Sequence, residues 1–221
     1  NGVLVAAVGE ERLSRIKNDG AFPHLSIQEV LSIAGIKFSD LSQIGVYWRP
    51  WKINSRALHS LRKIVNSPKS SLSVIGRAFE LFGNSHSKGN NITSTWKDLF
   101  KIKSILESRH GPFGAKIKYV DHHTTHQLYA EYMRDWDEYV SLSYDGGGEI
   151  DSTQLVVKID GERKLLTSHK WPNSLGHFYS TFTGFMGFKM LEGEYKMMGL
   201  APYGKPTQKE LLLNEILHLK P

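Results

Sequence analysis

The segment VDHHTTHQLYAEY, residues 120–132, places three of the chain's ten histidines within five positions. On a helix, His122 and His126 share one face, about 40° apart around the axis. His123 is rotated by about 100° from His122 and faces elsewhere. Two imidazoles on one helical face can reach a single metal ion. The segment therefore predicts a helix with two metal ligands and a third histidine in a different role.

Strand patterns lie on both sides of this helix. AKIKYV (115–120) leads into it, and EYVSLSYDGGGE (138–149) follows as a strand that ends in a glycine turn. Asp145 stands at the carboxyl end of the second strand, where α/β sheets border their ligand crevices. The order predicts an α/β fold with a metal site formed by His122, His126 and Asp145. A bare HxxxH pattern also occurs in helix caps and among surface histidines, so this alternative stays open.

Glycine-rich turns suggest a second kind of site. Successive glycines at Gly146, Gly147 and Gly148 allow backbone amides to approach phosphate oxygens without interference from a Cβ. Lys196, within EGEYKMMGLAPYG (192–204), is also a candidate phosphate ligand. Tight turns and an exposed lysine explain both stretches equally well.

The segments before the histidine helix combine strands with helical periodicity. NGVLVAAVGEE (1–11) is typical of a strand that follows an Asn-Gly turn, and we expect a fragment whose first strand is missing. A helix over 25–34 should end at Gly35, and the strand in QIGVYWRP should stop at Pro50. Helical periodicity recurs over 55–66, 71–82 and 94–109, which predicts a helical insertion.

The segments after residue 150 give four predictions. Two strands should pair around Asp160-Gly161, a strong hairpin signal. NSLGHFYSTFTGFMGF (173–188) predicts a helix capped by Asn173 or Ser174. Residues 192–206 are expected to be rich in loops, and a final helix is expected over 207–218.

Composition and charge limit the possible functions. The chain has no cysteine, which excludes disulfides and thiolate metal sites, and no apolar run approaches the roughly 20 residues that span a membrane. The cytoplasm is the default compartment. Residues 49–118 carry 14 Lys and Arg against 3 Asp and Glu, a balance of +11, while the rest of the chain carries 14 against 19, a balance of −5. The basic block is interpreted as a solvated insertion, and nucleic acid is an unlikely partner because no recognition motif accompanies the charge.

Five segments together resemble the O-carbamoyltransferases, the family of the nodulation-factor and antibiotic carbamoyltransferases. They occur in that family's order and spacing: EERLSRIKNDGAFP, DHHTTH, SYDGGGE, NSLGHFYSTFTGFMGF and EGEYKMMGLAPYG. The resemblance covers nearly the whole chain except about residues 50–115.

The resemblance implies a fold and an activity. Residues 1–48 and 116–221 would be part of an actin/sugar-kinase-like, ribonuclease H-like domain with a mixed sheet, and 49–115 a basic helical insertion. Carbamoyl phosphate and ATP would give carbamoyl-adenylate in a further domain outside this chain. The carbamoyl group would then pass to a hydroxyl of a glycan, a glycoside or another small molecule. A fragment of this kind is expected to be inactive alone, and a homodimer is compatible with the resemblance.

The resemblance also assigns roles to individual residues. His122, His126 and Asp145 match the family's ligands to a divalent metal, usually iron, and a further aspartate ligand lies beyond residue 221. Lys17 matches an active-site lysine. Gly146, Gly147 and Gly148 match the turn on the phosphate side.

The sequence leaves three other functions open. A tRNA threonylcarbamoyltransferase-like protein would share the HxxxH element, although EERLSRIKNDGAFP and YKMMGLAPYG favour the small-molecule branch. A non-catalytic basic interaction module would rest on the block at 49–118. A metal-dependent hydrolase would need a general base within the chain.

Overall fold

The computed structural model describes residues 2–52, 55, 96–134 and 136–217, which fall into two compact units, Asn1–Ser174 and Leu175–Pro221. The first unit contains these helices and strands: α1 (Glu10–Ser14), α2 (His24–Ala34), β1 (Gln43–Val46), α3 (Ile102–His110), β2 (Lys116–Tyr119), α4 (His122–Tyr132), β3 (Tyr139–Tyr144), β4 (Asp151–Ile159) and β5 (Glu162–Lys170). Short 3-10 turns occur at Phe38–Asp40, Pro50–Lys52 and Trp96–Phe100. The helices predicted over 55–66 and 71–82 lie outside the described residues.

Strands β1 and β2 form a parallel pair, with Gln43 opposite Lys116 and Val46 opposite Tyr119. The carboxyl ends of parallel strands meet at one edge of a sheet, so the segments that leave β1 and β2 begin side by side. Helix α4 starts at this edge, because only two residues separate it from the end of β2.

An apolar cluster supports the parallel pair. Its buried members are Phe38, Val46, Ile102 and Leu106. Helix α2 packs against the cluster through Ile27 and Leu31 and ends at Gly35 as predicted. Gly35 adopts a φ of 65°, the left-handed conformation that glycine tolerates at a helix end.

Strands β3, β4 and β5 form a separate antiparallel sheet in that order. Asp160 and Gly161, with φ of 52° and 76°, make the hairpin turn between β4 and β5, which confirms the turn predicted there. Parallel and antiparallel pairing therefore both occur, as predicted for an α/β chain, but the described strands place them in two sheets. The actin/sugar-kinase-like assignment and the domain limits at 48 and 116 stay predictions.

Helix α5 (Leu175–Phe185) and helix α6 (Glu194–Leu200) begin the second unit. A 3-10 turn at Ala201–Tyr203, a helical turn at Lys209–Leu211 and a π-helical turn at Leu212–Ile216 follow. The approach to α6 depends on Gly193: a Cβ there would lie 2.7 Å from the Phe188 Cβ and 2.9 Å from the Lys189 carbonyl oxygen. Across the described part of the chain, the helices are too short or too polar to cross a membrane.

Three sequence predictions differ from the structure. Residues 2–9 form no strand, and a helix begins at Glu10 instead. A strand needs a ladder partner, and none of the described strands pairs with this segment. The stretch 192–206 is not only loop, since α6 occupies Glu194–Leu200, where the glycines suggested a turn. The helix predicted over 94–109 is divided into the 3-10 turn Trp96–Phe100 and α3.

Candidate metal centre

A buried carboxylate fixes the start of α4. Glu149, only 5% exposed, accepts a hydrogen bond from the His122 amide at 3.1 Å and another from the Arg49 amide at 2.8 Å. A carboxylate at a helix start satisfies an orphan amide and complements the helix dipole. Glu149 therefore joins the end of β1 to the first turn of α4.

The carboxylate of Asp121, the residue before α4, forms ion pairs and does not bond to the helix amides. Asp121 occupies the N-cap position, yet its carboxylate pairs with the Arg49 guanidinium at 3.0 Å and the Lys52 ammonium at 2.5 Å. These ion pairs connect the segment after β1 to the segment after β2. Glu149, 28 residues further along the chain, accepts the first amide of the helix instead.

The three predicted metal ligands converge. The Asp145 Oδ2 atom lies 2.7 Å from the His122 Nε2 atom and 3.3 Å from the His126 Nε2 atom. The two Nε2 atoms are 3.1 Å apart. Their side chains differ in exposure, with His122 14% exposed, Asp145 41% and His126 53%. The cluster is thus closed behind His122 and accessible from the His126 side.

This triangle fits a small divalent ion. Metal–ligand distances of roughly 2.0–2.2 Å place neighbouring ligands about 3.0 Å apart at right angles and about 3.4 Å apart at tetrahedral angles. The observed separations of 2.7 to 3.3 Å need only a small expansion. Two histidines and one carboxylate on one face, with the remaining positions open, are the donor set of non-haem iron sites. Zinc sites also use this combination.

The charge state of Asp145 suits a ligand. Its hydrogen bond with His122, together with one from the Gly146 amide, holds the pKa of the Asp145 carboxyl far below its ordinary value. The group is therefore a carboxylate at neutral pH. Aromatic rings border the cluster on the His122 side, where the Trp48 ring centroid lies 5.0 Å from that of His122.

The glycine triplet adopts a compact turn. The Gly146 amide donates to Asp145 Oδ1 at 2.6 Å, and the Gly148 amide donates to the Asp151 carbonyl at 2.6 Å. A Cβ on Gly148 would approach the His123 ring at 3.0 Å and the His122 Cβ at 3.4 Å. Close packing against α4 explains the need for glycine at 148. A phosphate contact by this turn stays a prediction, and two of the three amides are already engaged within the protein.

His123 faces away from the triangle, as the helical spacing predicts. Its ring is buried and hydrogen-bonds to Ser143 and to the Asp151 carbonyl, each at 2.9 Å. Burial lowers the pKa of His123 below its ordinary value. The partners of His123 are not visible in a local sequence pattern, because the spacing of β3 relative to α4 is not a local property.

The two candidate lysines stand on other elements. Lys17 is an exposed residue in the turn after α1. Arg15 and Asn18 on either side of it have positive φ angles of 61° and 55°. Lys196 belongs to α6 in the second unit, with its ammonium 5.9 Å from the Tyr195 ring centroid. Their catalytic and phosphate-binding roles stay predictions.

Comparisons with known proteins cover the whole chain. Residues 1–221 match the family described as Carbamoyltransferase N-terminus. The uncharacterized protein sll1178 of Synechocystis sp. is 34% identical over 100% of this chain, which covers 34% of that protein. The nodulation protein NolNO of Sinorhizobium fredii is 30% identical over 99% of the chain, which covers 29% of NolNO. The chain thus spans about a third of the length of these relatives.

Proposed function

The chain belongs to the carbamoyltransferase N-terminus family, and from this premise we propose that it forms the metal-binding part of an O-carbamoyltransferase. The enzyme would transfer the carbamoyl group of carbamoyl-adenylate to a hydroxyl of a glycan, a glycoside or another small molecule. Carbamoyl phosphate and ATP would be the source of carbamoyl-adenylate.

The convergence of His122, His126 and Asp145 is the observation that carries the proposal. Their three ligand atoms lie within 4.8 Å of one another, and no other such cluster occurs among the described residues. Helix α4 supplies both imidazoles and the end of β3 supplies the carboxylate. We propose iron as the ion, with its remaining positions open to the substrate or to ligands from elsewhere.

The proposed reaction transfers the carbamoyl group from the adenylate to the acceptor hydroxyl. The acceptor oxygen forms a bond to the carbamoyl carbon, the bond from that carbon to the adenylate oxygen breaks, and AMP leaves with the electron pair. When bound, a divalent ion supplies a positive charge that stabilises the negative charge developing on the carbonyl or phosphate oxygens. The proton of the acceptor hydroxyl must pass to a general base, for which the described residues present no firm candidate.

The residues of the chain contribute orientation and charge. His122 and Asp145 are held against each other by their 2.7 Å contact, so the ligand set is arranged before any ion arrives. Charged groups that are already in position need little rearrangement when the reaction takes place. Lys17 is proposed as an active-site lysine, and the glycine turn at 146–148 is proposed to contact the phosphate of the nucleotide. Lys196, in the second unit, is proposed separately as a phosphate ligand.

A glycan or glycoside acceptor is proposed from the resemblance to the nodulation-factor carbamoyltransferases, and one relative is named as the nodulation protein NolNO. The acceptor itself is a proposal. It can be identified by incubating the enzyme with labelled carbamoyl phosphate, ATP and a panel of sugars.

A two-step assay tests the function in a full-length enzyme that carries this chain. Exchange of labelled pyrophosphate into ATP that depends on carbamoyl phosphate reports the formation of carbamoyl-adenylate. Label on the sugar reports transfer of the carbamoyl group. His126→Ala and Asp145→Asn should lower transfer at least ~100-fold while exchange continues, because adenylate formation is assigned to another domain. His110→Ala, which removes a histidine that stacks on Phe38 and not one of the three predicted ligands, should retain both steps. Unchanged transfer in His126→Ala would overturn the proposal.

A further inference from the structure

The third histidine of α4 is buried beside the metal cluster without belonging to it. His123 is 2% exposed, and its Nε2 atom lies 2.9 Å from the Asp151 carbonyl oxygen. A carbonyl oxygen can only accept, so Nε2 carries the proton and Nδ1 is the acceptor. Nδ1 lies 2.9 Å from the Ser143 Oγ atom, whose hydroxyl therefore donates to it. The two contacts together select one tautomer.

The hydrogen-bond chain continues beyond Ser143 in a consistent direction. The Gln127 Nε2 group donates to Ser143 Oγ at 3.1 Å, and Gln127 Oε1 accepts from Arg163 Nη2 at 3.0 Å. Arg163 also pairs with Glu131 at 3.1 Å. Gln127 and Ser143 are both buried, and both ends of the Gln127 side-chain amide have a partner. Hydrogen bonds between buried polar groups favour one arrangement of the elements that they join.

On the helix, the network is anchored beside the two imidazole ligands. His123 directly follows His122, and Gln127 directly follows His126. Successive helical residues differ by about 100°, so the anchors face β3 and the turn 145–151 while the ligands face the cluster. Rotation or sliding of α4 that broke the anchor contacts would also move both ligand nitrogens.

On the sheet side, the network reaches both ends of the turn that carries the carboxylate ligand. Ser143 stands two residues before Asp145, and the Asp151 carbonyl that meets His123 also accepts the Gly148 amide. A Cβ added at Gly148 would lie only 3.0 Å from the His123 ring, so the ring leaves no room for a side chain at this point of the turn.

We propose that His123 is a positioning residue of the metal centre, which fixes the distance between the two imidazoles of α4 and the carboxylate of Asp145. It does so by hydrogen bonds to Ser143 and the Asp151 carbonyl, which lie on either side of Asp145. The inference rests on the proposed function, because it concerns the same metal site. Gln127 and Arg163 extend the same support toward the surface.

Co²⁺ titration of the chain measures this role, with the visible absorption of the bound ion as a second readout of coordination geometry. His123→Ala should weaken Co²⁺ binding about 10- to 100-fold, as expected for residues that orient ligands. His123→Gln can still donate to the Asp151 carbonyl and His123→Asn can still meet Ser143, so each should recover part of the affinity. Ser143→Ala should weaken binding, and its effect should be smaller in the His123→Ala background.

Leu106→Ala is the matched control. Leu106 is as buried as His123, and its truncation should lower the stability of the first unit without changing Co²⁺ affinity or the absorption spectrum. If wild type binds Co²⁺ and His123→Ala binds it equally well with the same spectrum, the positioning role is overturned while the metal centre stands. If His123→Ala and Leu106→Ala lose affinity equally, His123 is a packing residue and the inference fails. If wild type binds no Co²⁺, the proposed metal centre fails first and the inference falls with it.

Discussion

Two groups of histidines in the first unit have different surroundings. In α4, the Nε2 atoms of His122 and His126 meet the Asp145 carboxylate, and the His123 ring meets a hydroxyl and a carbonyl oxygen. The Nδ1 atom of His122 is buried without a hydrogen-bond partner among the described residues. Between α2 and α3, His24 lies 4.7 Å from the Phe22 ring and His110 stacks on Phe38 at 4.7 Å. Both nitrogens of His24 and the Nε2 atom of His110 are buried without a hydrogen-bond partner among the described residues.

The difference shows what separates a ligand histidine from a core histidine. His24 and His110 are 5.8 Å apart between ring centroids, but no carboxylate of the described residues completes a ligand set there. The nearby Glu10 carboxylate instead accepts the Leu25 and Ser26 amides at the start of α2. Two neighbouring imidazoles are thus not enough to form a metal site. The carboxylate at the end of β3 makes the α4 cluster suited to a cation.

The largest expected effect is on metal affinity. His122→Ala, His126→Ala and Asp145→Asn should each weaken divalent metal binding at least ~100-fold, because each removes one of three ligands. His110→Ala should leave the affinity unchanged, since its ring packs on Phe38. Calorimetric titration of the four variants makes the comparison. Equal losses in His110→Ala and His126→Ala would remove the distinction between the two regions.

The next effect concerns the carboxylate that joins β1 to α4. Glu149→Gln should lower the free energy of unfolding by about 2 kcal/mol, because a charged acceptor shared by two partly buried amides is replaced by a neutral amide. Glu162→Gln, on an exposed residue of β5, should change it by less than about 0.5 kcal/mol. Urea denaturation reports both values. Equal stability of the two variants would show that Glu149 does not stabilise this junction.

A smaller effect is expected at the partly exposed ion pairs of Asp121. Asp121→Asn should lower stability by about 1 kcal/mol at low salt, because the pairs with Arg49 and Lys52 lose their charge component. The difference from wild type should shrink as salt rises, since added ions screen exposed charges. Denaturation at two salt concentrations checks this expectation. A salt-independent difference would mean that packing, not charge, explains the loss.

The mildest expected effect is the pH dependence set by the core histidines. Burial, and then the nearby Arg109 charge, lowers the pKa of both His24 and His110 in the folded state. The unfolded chain, with an ordinary pKa of about 6.5, then binds more protons, so these residues make stability fall as pH drops below about 6.5. The loss levels off below the folded-state pKa values. His24→Phe combined with His110→Phe should flatten the decline, and an unchanged slope in urea denaturation from pH 7.5 to 5 would contradict it.

Local sequence patterns predict much of this structure. The α4 helix, the Asp160-Gly161 hairpin and the end of α2 at Gly35 depend on neighbouring residues, and the sequence predicted all three correctly. The meeting of His122 and His126 with Asp145 was also predicted, because a four-residue helical spacing and a strand end constrain it.

Other features depend on contacts between distant segments. Glu149 meets the Arg49 amide across 100 residues, and Arg163 meets Gln127 across 36, so neither partner is visible in a local pattern. The same limit explains the error at residues 2–9, where a strand-like composition finds no described partner strand. The histidine pair of α2 and α3 was overlooked because its members are far apart in sequence.

Anomalous diffraction at the iron edge, on crystals of the protein prepared with ferrous ion, tests the central claim most directly. The account predicts one strong anomalous peak within about 2.0–2.3 Å of the His122 Nε2, His126 Nε2 and Asp145 Oδ2 atoms. His123 should remain bonded to Ser143 and the Asp151 carbonyl, outside the coordination sphere. A peak coordinated by His123, or no peak at this cluster while the three side chains are ordered, would contradict the account.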